Sequence, residues 1–190
     1  MRLPKLDYKE MTPRQREAHD KHVAKRKRAS GPYGVWVHSP ELMDLVSPLS
    51  NYMRWDAALS GKLREFGILV TARFWDAQYS WNAHVDKARV AGITDDVIND
   101  LAANRTPAFK CDEERVYYTF ATEVLKNHFV GEKTFAEAKS IFGEKGVVDL
   151  IGSIGYFSML QICLNSAEVD LQPDREPPFP DVRGFATNPA

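Results

Sequence analysis

Apolar residues along this chain mostly recur every three or four positions, the spacing that gathers side chains on one face of an α-helix. No segment alternates apolar and polar residues clearly enough to predict a strand. The segment 145–167 is apolar on nearly every side, so we expect a central helix or one shared with a partner chain. The pattern predicts an all-α fold, a single-domain bundle of about seven to eight helices.

The ends of the chain are more polar than its middle. Thr12-Pro13 predicts a helix start, and the helix through Arg28 carries mostly charged residues, so we expect it on the surface, with His19 and His22 exposed. The basic run at its end, residues 25–28, is typical of a solvated helix terminus. Residues 29–38 contain two glycines and a proline and are predicted to form a loop. Because this loop is rich in aromatic and apolar residues, Tyr33 among them, we expect it to be tucked in, where it could form one wall of a pocket. Pro48 predicts a kink in the apolar helix that follows, residues 40–57.

Two consecutive helices between Leu63 and Gly92 carry the candidate chemistry. The first places Glu65 on an apolar face, and the second places His84 on the face that also holds Ser80 and Trp81. A buried carboxyl group beside an imidazole can transfer a proton near neutral pH, and we expect burial to raise the pKa of Glu65. A core Glu–His pair without catalytic function is the alternative that the spacing leaves open.

Composition narrows the possible partners and compartment. At 190 residues the chain is long enough for one domain, which we assign to residues 1–172, followed by a proline-rich arm at 173–190. The net charge of −1 predicts neither a nucleic-acid nor a membrane partner. The start of the chain has no apolar signal region, and its two cysteines do not form a spaced pair. We therefore expect a cytoplasmic protein.

Several motifs resemble one known family. They are Glu65, Thr71-Ala72-Arg73, Tyr79-x-Trp81-x-x-His84 and Ala91-Gly92-Ile93-Thr94, with weaker similarity at 31–34, at 38–42 and around Gly155-Tyr156 and Leu164-Asn165. Together they resemble the carboxymuconolactone decarboxylase family, which shares an all-helical fold with the alkylhydroperoxidase-D proteins. The similarity covers roughly residues 30–172.

One departure from the family pattern excludes one branch of its chemistry. The peroxidase branch has a Cys-x-x-Cys pair between the Glu and the His, and those positions hold Ala77 and Ser80 here. Thiol peroxidases need one thiolate to attack the peroxide and a second thiol to resolve the product. Cys111 and Cys163 are distant in sequence from this motif. The resemblance therefore implies the fold without thiol peroxidase activity.

The resemblance implies a cofactor-free decarboxylase that acts on a small carboxylated lactone or a similar unsaturated acid, and no metal site. In that reaction His84 is the candidate proton donor or oxyanion partner, and Glu65 the proton shuttle or the group that fixes the imidazole tautomer. The candidate substrate-binding residues are Arg73 and His38 for the carboxylate, Trp81 and Trp75 for the apolar walls, and Ser80.

Two other functions stay open on the sequence. One is a different cofactor-free proton-transfer enzyme, an isomerase or a lactone hydrolase, that uses the same Glu and His. The other is a non-catalytic oligomeric protein in which Glu65 and His84 form a structural pair. Because relatives assemble as trimers or hexamers, the resemblance also implies a homo-oligomer.

Overall fold

The computed structural model describes residues 1–182, and this part of the chain contains eight α-helices and no strand. The predicted all-α class and helix number are confirmed. The helices are α1 (Pro13–Arg26), α2 (Pro32–Trp36), α3 (Pro40–Asn51), α4 (Gly61–Phe74), α5 (Gln78–Val90), α6 (Asp95–Ala102), α7 (Asp112–Asn127) and α8 (Glu132–Ser166). A short 3-10 turn (Tyr8–Glu10) precedes them, and a π-helical turn (Tyr52–Asp56) follows α3.

Helix α4 forms the centre of the bundle. It packs against α5, α7 and α8, and its residues from Glu65 to Ala72 are all buried. Close packing of α4 on α7 depends on Gly67, where an added Cβ would overlap the hydroxyl group of Tyr117. That hydroxyl lies 3.0 Å from Oγ of Ser153 on α8, so one buried hydrogen bond joins two of the helices around α4.

Proline and glycine shape two helices differently from the prediction. Pro48 lies inside α3, and the π-helical turn begins four residues later, at Tyr52. Asp149 of α8 fixes this turn, because its carboxylate accepts hydrogen bonds of 2.7 Å from the hydroxyl of Tyr52 and the amide of Ala58. Helix α8 is broken at Gly143, where φ is +69°, and the apolar helix predicted at 145–167 forms the part after this break.

The charged first helix is less exposed than predicted, whereas the segment after it is tucked in, as predicted. Helix α1 packs against α3, and His22 is 3% exposed, so its assignment as a surface histidine is wrong. The predicted loop 29–38 contains the short helix α2, because Pro32 supplies a helical first residue and Trp36 is buried. Gly31 precedes it at φ +61°, with no room for a side chain beside Tyr79.

The proline-rich arm is described as far as residue 182, and the rest of the predicted arm, 183–190, lies outside the described residues. Its Phe179 is buried against Trp81, with ring centroids 5.6 Å apart. Side chains of α5 bind its backbone, since Gln78 donates to the carbonyl of Phe179 and Asn82 to that of Glu176. The arm therefore runs along α5.

Among the described residues, helix α8 is long and apolar enough to cross a membrane, judged by length and composition alone. Half of its most apolar stretch is buried inside the protein, as in the core helix of a soluble protein. Its exposed side nevertheless presents Val148, Ile151 and Ile162.

Candidate active site

Glu65 and His84 are brought together by the packing of α5 on α4. The Nδ1 atom of His84 lies 2.7 Å from Oε2 of Glu65. Glu65 is 4% exposed, and the His84 side chain is 16% exposed. The other carboxylate oxygen of Glu65 lies 3.3 Å from Nε of Arg64, the residue before it. Arg64 in turn donates a hydrogen bond of 2.6 Å to the backbone carbonyl of Arg54.

The pKa of Glu65 was predicted to be raised, but its net shift is downward. Burial does act to raise it, but the hydrogen bond from His84 and the positive charges of Arg64 and Arg54 outweigh burial and leave the pKa below its usual value. Burial also lowers the pKa of His84, more than the neighbouring carboxylate raises it. At neutral pH the pair is therefore an ionised Glu65 and a neutral His84.

This protonation state fixes the tautomer of the imidazole. An ionised carboxylate only accepts hydrogen bonds, so the single ring proton of neutral His84 lies on Nδ1. The Nε2 atom then carries a lone pair and can accept a proton from a bound molecule. We assign this tautomer from the hydrogen bond, and it gives the unliganded pair the arrangement of a general base with its orienting carboxylate.

A cavity of about 590 Å³ adjoins this pair, with His84 and Ser80 in its wall. Its lining draws on every helix except α6 and α7, together with the π-helical turn and the arm. Among the described residues, those that line it include six cations and no carboxylate. The cations are Arg26, Arg28, Arg54, Arg64, Lys87 and Arg175. A cavity with this charge favours an anionic ligand.

Most of these cations have no carboxylate partner within the described chain. Arg64 contacts Glu65, and Arg175 of the arm lies 2.6 Å from Asp86. The remaining four form no ion pair among residues 1–182. Burial and the charge of Arg26 lower the pKa of Arg54 from that of a free guanidinium, which shows that this group is partly desolvated and close to another cation. A bound anion would relieve that repulsion.

Two of the predicted carboxylate-binding residues lie elsewhere. Arg73 forms an ion pair with Asp76, donates to the carbonyl of Ala102 at 3.0 Å, and covers the ring of Phe179. The Nε2 atom of His38 lies 3.0 Å from the carbonyl of Pro4. Neither side chain lines the cavity, so the assignment of both to the candidate site is wrong.

The predicted apolar walls are also wrong, whereas Ser80 does line the cavity. Trp81 is 3% exposed and packs on Phe179 of the arm, and Trp75 packs against Phe74. Helical spacing placed Trp81 correctly on the buried side of α5. It could not distinguish a core position from a cavity wall, because both are apolar and hidden from solvent.

Neither cysteine can supply a thiol to the site. Cys111 caps the start of α7 and Cys163 lies on α8, both are free, and neither lines the cavity. Ala77 and Ser80 occupy the positions of the cysteine pair, at the start of α5. Among residues 1–182, no group of three or more histidine, cysteine or acidic side chains is arranged to hold a metal ion.

The sequence contained signals for some of the cations that prediction missed. Lys87 follows His84 by three residues and therefore shares its helix face, and Arg64 directly precedes Glu65. Arg26 and Arg28 belong to the basic run at the end of α1, where alternate residues turn towards the cavity. Tyr33 and Tyr156 also line the cavity. The aromatic loop predicted a buried position for Tyr33, but no local pattern showed that α2 and α8 bring the two tyrosines together.

Comparisons with known proteins agree with this fold and motif. Residues 40–123 match the carboxymuconolactone decarboxylase family, and this range contains both Glu65 and His84. A comparison with curated protein sequences finds no significant match.

Solved structures with the same fold cover most of the chain. One is an alkylhydroperoxidase AhpD core, an uncharacterized peroxidase-related protein from Ralstonia eutropha JMP134, with a TM-score of 0.74 and 18% identity over 91% of this chain and 93% of that one. Another is an uncharacterized peroxidase-related protein from Silicibacter sp. TM1040, with a TM-score of 0.72 and 16% identity over 92% of each chain. A protein of unknown function from Agrobacterium tumefaciens gives a TM-score of 0.64 and 18% identity over 73% of this chain and 96% of that one.

Proposed function

We propose that this chain is a cofactor-free decarboxylase of a small carboxylated lactone or a similar unsaturated acid. Its residues 40–123 match the carboxymuconolactone decarboxylase family, and its fold is AhpD-like. The observation that carries the proposal is the Glu65–His84 hydrogen bond beside a cavity lined with cations. The cations supply the binding energy for an acidic substrate, and the pair supplies the proton transfer.

The reaction has simple electronic requirements. The bond between the substrate and its carboxylate breaks, carbon dioxide leaves, and the electron pair moves into the unsaturated carbonyl group to form an oxyanion. A proton from His84 then forms the new C–H bond, and solvent returns a proton to the imidazole. Hydrogen-bond donors at the oxyanion lower the barrier, because the charge there develops only as the reaction proceeds.

Substrate binding itself can prepare the proton donor. Unliganded His84 is neutral at pH 7, because burial lowers its pKa. A carboxylate held by the cavity cations, close to the imidazole, favours the charged form and raises that pKa again. The resulting imidazolium stays hydrogen-bonded to ionised Glu65, whose negative charge stabilises it. The same pair is then a base in the free enzyme and an acid in the complex.

The neutral state of His84 also supports a second candidate function. A lone pair on Nε2 suits the removal of a proton, as in an isomerase, or the activation of water, as in a lactone hydrolase. Both reactions fit the same cation-lined cavity and need no cofactor. Carbon dioxide release distinguishes them from the decarboxylase. Thiol peroxidase chemistry is not proposed, because Ala77 and Ser80 carry no thiol.

The test is carbon dioxide release from a panel of carboxylated lactones and unsaturated keto acids. We expect release by the wild type, at least a hundredfold slower release by His84→Ala and Glu65→Gln, and wild-type rates for the control His128→Ala, which alters an exposed histidine. Turnover that survives in both active-site variants contradicts the proposed mechanism. A product that keeps its carboxylate identifies the isomerase or hydrolase instead.

We also propose that the protein is a cytoplasmic homo-oligomer, a trimer or a hexamer. The exposed apolar side chains of α8, Val148, Ile151 and Ile162, together with Leu45 of α3, support an interface between subunits. Light scattering on the protein as it elutes from a size-exclusion column measures the molar mass of the assembly, and hence the number of chains. Ile151→Glu should shift the assembly towards monomer if this face is the interface, and an unchanged mass would locate the contact elsewhere.

A further inference from the structure

A second polar cluster lines the same cavity as His84. It consists of His22 and Arg26 of α1, Tyr33 of α2, Ser50 of α3 and Tyr156 of α8. Three of these residues carry hydroxyl groups, and His22, Ser50 and Tyr156 are at most 5% exposed. The helices that build this cluster differ from α4 and α5, which hold the Glu–His pair. The cavity therefore has two polar walls.

The hydroxyl groups of the second wall form a connected network. Tyr33 donates a hydrogen bond of 2.5 Å to Oγ of Ser50, and its oxygen lies 3.2 Å from the hydroxyl oxygen of Tyr156. The guanidinium of Arg26 also donates to Oγ of Ser50, while its Nε donates to Asn51 at 3.1 Å. Burial raises the pKa of Tyr156, so that hydroxyl stays protonated. The network holds a guanidinium and three hydroxyl groups as hydrogen-bond donors, whereas its acceptors are neutral oxygens.

Its positive charge has no counterion within the described residues. Arg26 contacts neutral oxygens and two aromatic rings, and no carboxylate among residues 1–182 forms an ion pair with it. The hydroxyl groups alone could link the three helices by hydrogen bonds. A partly buried Arg26 without an anionic partner instead lowers the stability of the fold. An anion or an oxyanion that enters the cavity supplies the missing acceptor.

Other groups hold Tyr33 in place. The imidazole of His22 stacks on its ring at a centroid distance of 3.7 Å, and Nδ1 of His22 lies 3.1 Å from Oγ of Ser47. The Nε2 atom of His22 is buried and has no hydrogen-bond partner. Arg54, in the π-helical turn, is within electrostatic range of both Tyr33 and Glu65, which connects the two walls.

We propose that Tyr33 is a second catalytic residue, whose single hydroxyl hydrogen turns from Ser50 to the oxyanion formed on the substrate while His84 exchanges the proton with carbon. The hydroxyl of Ser50, still held by Arg26, then donates its own hydrogen to the oxygen of Tyr33. The assignment rests on the proposed function, since it needs a reaction in which negative charge accumulates on oxygen. An isomerisation through an enolate forms the same oxyanion. Ser50 and Arg26 are positioning residues that hold and polarise the Tyr33 hydroxyl.

The experiment measures oxyanion binding without turnover. The probe is 4-hydroxy-3-nitrobenzoate, whose phenolate absorbs visible light, and the comparison compound is 3-nitrobenzoate, which has the carboxylate but no oxyanion. We expect the wild type to bind the hydroxylated compound at least tenfold more tightly and to shift its absorption band. In Tyr33→Phe that preference and the band shift should disappear, while 3-nitrobenzoate still binds within about twofold, because one hydrogen bond to a charged group accounts for the difference.

Three further variants complete the design. Tyr8→Phe removes an exposed hydroxyl that bonds Asp20 and should keep the wild-type preference. Ser50→Ala keeps the Tyr33 ring but removes its link to Arg26, so the preference should fall several-fold, and Ser50→Thr should restore it. Circular dichroism checks that each variant is folded, and Ser50→Ala provides the test if Tyr33→Phe is not.

The proposal is overturned if the wild type shows no preference between the two compounds, or if folded Tyr33→Phe keeps it. Because no substrate is turned over, this result is independent of the decarboxylase proposal. A preference lost in Tyr33→Phe without any carbon dioxide release would retain the oxyanion wall and reject decarboxylation. Release that depends on His84 but not on Tyr33 would retain decarboxylation and reject the oxyanion wall.

Discussion

The buried histidine of α1 should make the stability of the fold depend on pH. Burial, with the nearby charge of Arg26, lowers the pKa of His22 from 6.5 to about 4. The folded protein therefore keeps this imidazole neutral at a pH where the unfolded chain protonates it. The stability that depends on the neutral form is complete above pH 6.5 and is lost as the pH falls towards 4.

The size of this effect follows from the pKa difference. A gap of about 2.5 pH units, at about 1.4 kcal/mol per unit, corresponds to about 3 kcal/mol in total. Between pH 7 and pH 5 the linkage relation gives about 2 kcal/mol of it, which is a large part of the stability of an ordinary domain. The asparagine of His22→Asn does not titrate in this range. Between pH 7 and pH 5 the free energy of unfolding of this variant should therefore fall by about 2 kcal/mol less than that of the wild type.

Urea unfolding at pH 7 and pH 5, at one fixed protein concentration, gives the change in the free energy of unfolding with pH for each protein. His22→Asn also loses the stack on Tyr33, about 1 kcal/mol at either pH, so the comparison rests on the pH dependence and not on the offset. The control is His128→Asn, an exposed histidine at φ +68°, a conformation that asparagine tolerates. If His22→Asn keeps the wild-type slope, the reasoning about a buried neutral imidazole fails.

Two further predictions concern packing. Tyr117→Phe should lower the free energy of unfolding by about 1–2 kcal/mol, because Ser153 loses its buried partner. Gly67→Ala should lower it further, since the new methyl group overlaps the hydroxyl of Tyr117. Urea unfolding of both variants measures the two losses. Phe179→Ala should release the arm from Trp81, so that trypsin cleaves at Arg175 at least tenfold faster than in the wild type. Cleavage at the wild-type rate would contradict this role for Phe179, and Phe129→Ala, at an exposed phenylalanine, is the control.

The sequence predicted the helices and one wall of the cavity because both depend on local spacing. Glu65 and His84 each lie on the buried face of a helix, and the two helices are consecutive, so their contact follows from a short connection. Trp81 lies on the same buried face, but the partner that covers it, Phe179, is nearly a hundred residues later in the chain. Spacing identifies a buried face without identifying what it faces.

The second wall was predicted only in part, since the aromatic loop indicated a buried Tyr33 without identifying its partners. Tyr33, Ser50 and Tyr156 come from three separate helices, and only tertiary packing brings their hydroxyl groups together. The charged face of α1 was predicted to be exposed, since lysine and arginine are rarely buried. Arg26 instead turns towards a cavity, where its charge is available to a ligand. A functional cation is thus hard to distinguish in sequence from a solvated one.

The direction of the pKa of Glu65 shows how the two walls depend on each other. Burial alone would leave a neutral carboxyl group, which could not orient His84 as an acceptor does. The hydrogen bond from His84 and the charges of Arg64 and Arg54 keep it ionised instead. Burial, with smaller contributions from the charges of Lys87 and Arg54, disfavours an imidazolium at His84, and an anion in the cavity would offset those charges. We therefore propose that proton uptake by His84 and occupation of the cavity are coupled, so that the proton donor forms only where a carboxylate is already bound.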